Sequence, residues 1–351
     1  MATQQKALYL QSRLGSFALG TAEIPTPEAG ELLVEIHATA LNPVDWKIQD
    51  HDIVGLIKEY PAVLGTDSAG VVKAIGEGVT NFAVGDRVVH QGFFENRRAT
   101  FQQYTIVSEK LAAKIPPNLT FDQAATIPLT TATAALALYK EHTEPLIGAG
   151  LSPPWDEGGR GKYADQPIFV LGGSTSVGQH VIQLAKLSGF SPIIVTASKQ
   201  HEEYLRSLGA THIIDRTIPL SSLPDEAAKI TEAPLHIVYD AVSEADTQNT
   251  AYDLAAPGGK VVVVLPPQID SAKLTGEKVI VQVVGNVQIP AQRAFGAILY
   301  KHLGSLLEAG DIKPNNVEVL PGGLSAIPEG LERLKRGVSA RKLIVRPQDT
   351  I

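Results

Sequence analysis

At 351 residues, with 44% hydrophobic and 19% charged side chains, the chain is long enough for two domains that each bury a core, and its composition is that of a globular protein rather than a disordered one. A formal net charge of −7 argues against sequence-independent binding to nucleic acid, which needs clustered Lys and Arg. The absence of Cys removes disulfide frameworks, thiol nucleophiles and cysteine-ligated zinc.

The first residues, 1–14, hold no apolar run ending in a small-residue cleavage site, and no stretch reaches the roughly 18 apolar residues that span a bilayer. A cytoplasmic protein with no membrane partner is expected. The first third predicts β structure: Glu31–Ala40 alternates apolar and polar residues, 70–75 is short and β-branched, and 85–90 opens with a turn pair. Short strands with Gly and Pro punctuation predict a barrel or sandwich. A helical stretch follows over 121–141, and then a loop over 145–166 rich in Gly, Pro and charge, whose length points to a functional segment.

From Ile168 the period changes. The run Ile168–Leu171 leads into a helical pattern over 177–187, then a strand over 193–196 and a helix ending at Gly209. Strand-like runs at His212–Asp215, 236–241 and 260–265 continue the series, so a parallel sheet covered by helices on both faces is predicted. The segment 279–285 reads as an edge strand, either paired across a dimer or covered within a monomer. Near the end, 317–320 and Lys342–Val345 return to β character and are expected to complete the first domain.

Ile168–Leu171 runs into Gly172, Gly173, Ser174, Thr175, Ser176, Val177 and Gly178, and from there into a helix. Strand, Gly-rich turn and helix N-terminus together aim backbone N–H groups and a positive dipole end at one point, where a pyrophosphate can sit. Thr175 stands where the middle Gly of G-x-G-x-x-G belongs, so the motif alone also fits a tight turn with no ligand. An NAD site places Asp or Glu about 20 residues on, for the ribose hydroxyls. Here the second strand ends in Ala197, Ser198 and Lys199, and a hydroxyl and an ammonium suit a 2′-phosphate, so NADPH is the expected cofactor. Arg216, past the third strand, offers a second positive contact, while Lys199 also reads as a solvated lysine at a helix start.

These residues, together with 64–71 (LGTDSAGV), Gly76, Gly78, 84–88 (VGDRV) and 127–134 (IPLTTATA), resemble the medium-chain dehydrogenase/reductase superfamily over nearly the whole chain. The resemblance implies an α/β chain with a GroES-like β-barrel domain over 1–131, completed by 288–351. It also implies a Rossmann domain, a doubly wound parallel sheet, over 132–287, with an active-site cleft between the two. Where the zinc alcohol dehydrogenases carry an early Cys and a Gly-His-Glu segment, this chain has Asn42 and Gly65, Thr66, Asp67, and none of its nine His shows H-E-x-x-H spacing. No metal is expected.

Asn42, Pro43, Asp45 and Lys47 form an N-P-x-D-x-K run that is similar to the zinc-free quinone reductases and, closer, to the fungal trans-acting enoyl reductases. Gly172 to Thr175, Ser198 and the long loop share that likeness, whereas Val177, Gly178 and Arg216 depart from the polyketide branch. The resemblance implies hydride transfer from NADPH to the C=C of an α,β-unsaturated carbonyl or enoyl thioester. Lys47, Asn42 and Thr133 would then lie near the nicotinamide and the substrate carbonyl, and a polyketide synthase is a possible partner. Each also has a structural reading: Asn42 holding the turn before Pro43, Lys47 on the surface or on cofactor phosphate, Thr133 bonded to its own helix. An NADPH:quinone oxidoreductase and a non-catalytic NADPH-binding protein are the alternatives, and the proton donor to the α-carbon is left open between water and one of the nine Tyr.

Overall fold

The structure, a computed structural model, describes residues 3–142 and 146–351, the side chain of Val54 excepted. Pro145, at the head of the predicted loop, and Met1 and Ala2 lie outside the described residues. Two units emerge, Met1–Leu129 with Asn286–Ala309 and Pro314–Ile351, and Thr130–Gly285 with Gly310–Lys313.

In the first unit β1 (Gln4–Leu10) pairs antiparallel with β2 (Phe17–Glu23). The predicted strand β3 (Glu31–Ala40) is followed by a helix α1 (Pro43–His51), then β4 (Ala62–Val63), which pairs with β1. Next come β5 (Asp67–Ile75), β6 (Arg87–Gln91), β7 (Tyr104–Ser108), β8 (Ala112–Lys114) and a short helix α2 (Phe121–Ala124). The alternation of β3 predicts one exposed face, yet most of the strand is buried. The reason is what covers its polar face: His37 stacks on Phe121 of α2 at 4.5 Å, Arg97 and Arg98 pair with Glu31, and the Thr39 hydroxyl donates to Asp67 O, while two register shifts against β5 bend the strand pair, as bulges do. The helical stretch at 121–141 is two helices, because Pro128 opens α3 (Pro128–Tyr139) at the first helical position and cannot sit inside a continuing one.

The second unit alternates strand and helix: β9 (Ile168–Leu171), α4 (Ser176–Ser188), β10 (Ile193–Ala197), α5 (Glu202–Leu208), β11 (His212–Asp215), α6 (Leu223–Ala228), β12 (Ile237–Asp240), α7 (Ala245–Leu254), β13 (Lys260–Val263) and β14 (Val279–Gln282). The strands are parallel, in the order β11-β10-β9-β12-β13-β14. The strand order therefore reverses at β9, the switch point at which open α/β sheets bind ligands beyond their carboxyl ends. β14 is one of the sheet's two edge strands, β11 being the other. The long loop has a packing role: Gly161 N donates to Leu187 O and Tyr163 N to Ser188 O, satisfying carbonyls at the end of α4. Tyr163 also stacks on Phe190 at 4.9 Å between centroids.

The chain then returns to the first unit with α8 (Arg293–Glu308), β15 (Val317–Val319), α9 (Ile327–Arg336) and β16 (Lys342–Val345). β16 joins β3 antiparallel, and Leu343 and Val345 enter a buried cluster with Leu8, Leu41, Ile48 and Phe101. Each such side chain is worth about 1.5–3 kcal/mol when buried, so this cluster fastens the C-terminal tail to the N-terminal strands. Among the described residues no helix is long and apolar enough to cross a membrane.

Candidate active site

The turn after β9 is built around its hydrogen bonds. Gly172 N donates to Thr196 Oγ1 and Gly173 N to Thr196 O, both at 2.9 Å, which pins the turn to β10. Gly172 has φ of +79°, a conformation open to glycine at no steric cost. Thr175, the departure from the expected glycine, is the N-cap of α4, its hydroxyl accepting from Gly178 N at 3.0 Å. At Gly178 an added Cβ would fall 2.3 Å from Gly172 O, so the helix can approach the strand only with glycine there. Ser174, Ser176 and Val177 complete the turn and the first residues of α4, whose N-terminal end carries positive dipole charge. These groups fit a pyrophosphate.

β10 and β11 run parallel with Ala197 opposite Asp215, so the next residues, Ser198 and Arg216, sit side by side. Arg216 Nε donates to Ser198 Oγ at 2.8 Å, and Lys199 follows, exposed. The Asp215 carboxylate is turned to its own loop. The Thr217 N–H and hydroxyl bind it and hold it below its ordinary value, with Lys199 and Arg216 adding to the effect.

In the first unit Asn42 is the N-cap of α1 and Pro43 its first residue. Asn42 is 1% exposed, and its amide is fully engaged: Nδ2 donates to Asp67 Oδ2 at 2.7 Å and to Thr66 Oγ1 at 3.2 Å, and Oδ1 accepts from Lys342 Nζ. Asp67 Oδ1 in turn accepts from Leu129 N at 2.7 Å, in the first turn of α3. Asp45, in the first turn of α1, accepts from Asn42 N at 2.8 Å. Burial pushes the Asp45 carboxyl up to about 7 despite that bond, and the nearby Asp67 charge adds to the rise. Lys47 is half-buried on α1, its Nζ 5.3 Å from the centroid of the Trp46 ring. His90, on β6, is wholly buried, and burial lowers it to about 4.

Thr133 belongs to the second unit, on α3. Its hydroxyl lies against Gly285, where a Cβ would stand 1.9 Å from Oγ1, and its carbonyl accepts from Tyr239 OH at 3.4 Å. The structure thus joins Asn42 to Asp67 and Lys342, and Ser198 to Arg216. Lys342 is not legible as a site residue in the sequence, its signal being a charge at the head of an otherwise apolar strand.

Residues 28–117 match the alcohol dehydrogenase GroES-like domain, and residues 176–275 match the zinc-binding dehydrogenase family. A trans-enoyl reductase of Aspergillus japonicus is 35% identical over 350 residues, spanning 97% of this chain and 96% of that one. Another, from Penicillium sp, is 32% identical over 368 residues, spanning 98% and 99%. Among solved structures, an alcohol dehydrogenase superfamily protein of Novosphingobium aromaticivorans shares the fold with a TM-score of 0.80 at 24% identity, covering 97% of this chain and 99% of that one. The chain belongs to the medium-chain dehydrogenase/reductase superfamily, in the branch of the fungal trans-enoyl reductases. It is an oxidoreductase with a dinucleotide fold for NAD(P).

The zinc in the second family's description finds no fitting donor set at the corresponding segments. The Asn42 carbonyl oxygen is held by an ammonium, and both Asp67 oxygens are engaged by Lys342, Asn42 and Leu129. Among the described residues no group of His, Asp and Glu is arranged to hold a metal ion.

Proposed function

We propose that the chain is an NADPH-dependent, zinc-independent reductase of the C=C of an α,β-unsaturated carbonyl or enoyl thioester. The substrate class follows the named activity of trans-enoyl reductases that match 97% and 98% of the chain. The observation that carries the cofactor choice is the end of β10, where Ser198, Lys199 and Arg216 stand in place of a carboxylate.

NADPH, when bound, supplies the hydride that reaches the β-carbon. That addition drives negative charge onto the carbonyl oxygen, where fixed hydrogen-bond donors stabilise it until a proton from water or a tyrosine adds to the α-carbon and restores the carbonyl. Lys47 and Thr133 are the proposed donors. Asn42, whose amide is engaged by Asp67, Thr66 and Lys342, serves this proposal as a positioning residue at the start of α1. Gly173, Ser174, Thr175, Ser176 and Val177 hold the pyrophosphate. A polyketide synthase is the proposed source of the thioester.

The test is NADPH oxidation against enoyl thioesters, free and carrier-bound, and against enals, enones and quinones. Turnover is expected with the unsaturated thioesters. Turnover confined to quinones makes the chain a quinone oxidoreductase, and tight NADPH binding with no turnover makes it a binding protein.

A further inference from the structure

Lys342 is 3% exposed, and burying an ammonium is costly unless it is paired and hydrogen-bonded. Its partners are specific. Nζ donates to Asn42 Oδ1 and lies 3.4 Å from Asp67 Oδ2. The backbone dictates this meeting: β16 pairs with β3 through Ile344 opposite Ala40 and Val345 opposite Thr39, and Leu41 N donates to Leu343 O at 2.9 Å. The same antiparallel register, continued by two residues, sets Lys342 opposite Asn42.

An asparagine amide with both ends engaged has one orientation. With Oδ1 on the ammonium and Nδ2 on Asp67 and Thr66, Asn42 cannot flip without placing an N–H against Lys342 and an oxygen against a carboxylate. Asn42 also starts α1: its N–H is held by Asp45, and Lys47 lies one turn further on. Two buried carboxylates, Asp45 and Asp67, meet here, and the cation against them is Lys342.

We propose that Lys342 is an internal cation, delivered by the last strand of the chain to the segments where zinc-dependent relatives would hold metal. It is a positioning residue that locks the Asn42 amide and the first turn of α1, and so the location of Lys47. This rests on the reductase reading only for Lys47's role; the locking of α1 stands apart from it.

The test is Lys342→Ala, with and without propylammonium, which supplies the methylenes and the ammonium that the substitution removes. Hydrogen exchange over peptides covering residues 41–51 reads the lock without any turnover. Exchange is expected to accelerate in the variant and to slow again with propylammonium, but not with tetramethylammonium or sodium at equal ionic strength. Where turnover is measured, kcat is expected to fall by about ten- to a hundredfold, with NADPH affinity unchanged and kcat recovered by the same amine. Wild-type protection over 41–51 in the variant, or recovery by every cation alike, overturns the proposal. If Lys342→Ala does not fold, Lys342→Met keeps the shape without the charge. Faster exchange over 41–51 in that variant, with its circular dichroism unchanged, supports the proposal, and wild-type exchange there overturns it. If the native enzyme turns over no substrate, the exchange result still decides.

Discussion

Arg216 Nε donates to Ser198 Oγ at 2.8 Å, linking the residue after β11 to the residue after β10. The pair holds a hydroxyl and a guanidinium at the carboxyl edge of the sheet, with the Lys199 ammonium next in sequence. A 2′-phosphate placed there is met by charge-assisted donors, whereas a ribose hydroxyl gains little from them.

Lys199→Ala and Arg216→Ala are therefore expected to weaken NADPH selectively. A hydrogen bond to a charged group is worth about 1.5–3 kcal/mol, which is roughly ten- to a hundredfold in affinity. Fluorescence titration with NADPH and NADH checks this. Equal losses for both nucleotides would remove the phosphate role.

Lys47→Ala is expected to lower kcat while leaving NADPH affinity and the unfolding midpoint close to those of the native protein. The side chain is half-buried on α1 beside the Trp46 ring, at a depth where truncation opens no core cavity. Unchanged turnover on the unsaturated thioester would take Lys47 out of the mechanism.

Asp45 and His90 oppose each other in the pH dependence of stability. The folded state raises Asp45 from 3.8 to about 7, so its contribution is full below the unfolded value and is lost as pH rises towards 7. His90 falls from 6.5 to about 4, so its contribution is full above 6.5 and is lost on acidification towards 4. Asp45→Asn keeps an acceptor for Asn42 N and removes the first titration. The variant is expected to gain on the native protein, by an amount on the order of 4 kcal/mol, as pH rises across the Asp45 window. Denaturant unfolding at a series of pH values measures the difference. A gap independent of pH would refute the assignment.

Gly178→Ala is expected to damage the cofactor turn, because the new Cβ would lie 2.3 Å from a backbone oxygen that has no rotamer to yield. Overpacking of this kind costs about 1–3 kcal/mol. A lower unfolding midpoint together with weaker NADPH binding is the expected outcome. Native values in both would show that the turn tolerates a side chain.

The Rossmann half was the more legible part of the chain. Each of its strands from β9 to β13 lies within a residue or two of its predicted span, since local period and Gly punctuation are properties of a short window. Less of the barrel could be read. β1, β2 and α1 went unpredicted, and β3 is buried where its alternation predicts a half-exposed strand, because α2 and the arginines at 97 and 98 cover its polar face. Thr175 shows the same limit in the motif itself. As a break in the glycine pattern it weakens the reading, and in the structure it is the helix cap.

The sequence by itself determined the order of strands and helices of the second unit, the Gly-rich turn after β9, the missing carboxylate after β10 and the lack of cysteine ligands, because each resides in neighbouring residues or in simple counts. Only the tertiary structure decided that Lys342 and Asn42, 300 residues apart, share one buried hydrogen bond. The register of β16 on β3 brings them together, and no local pattern in either segment encodes that register.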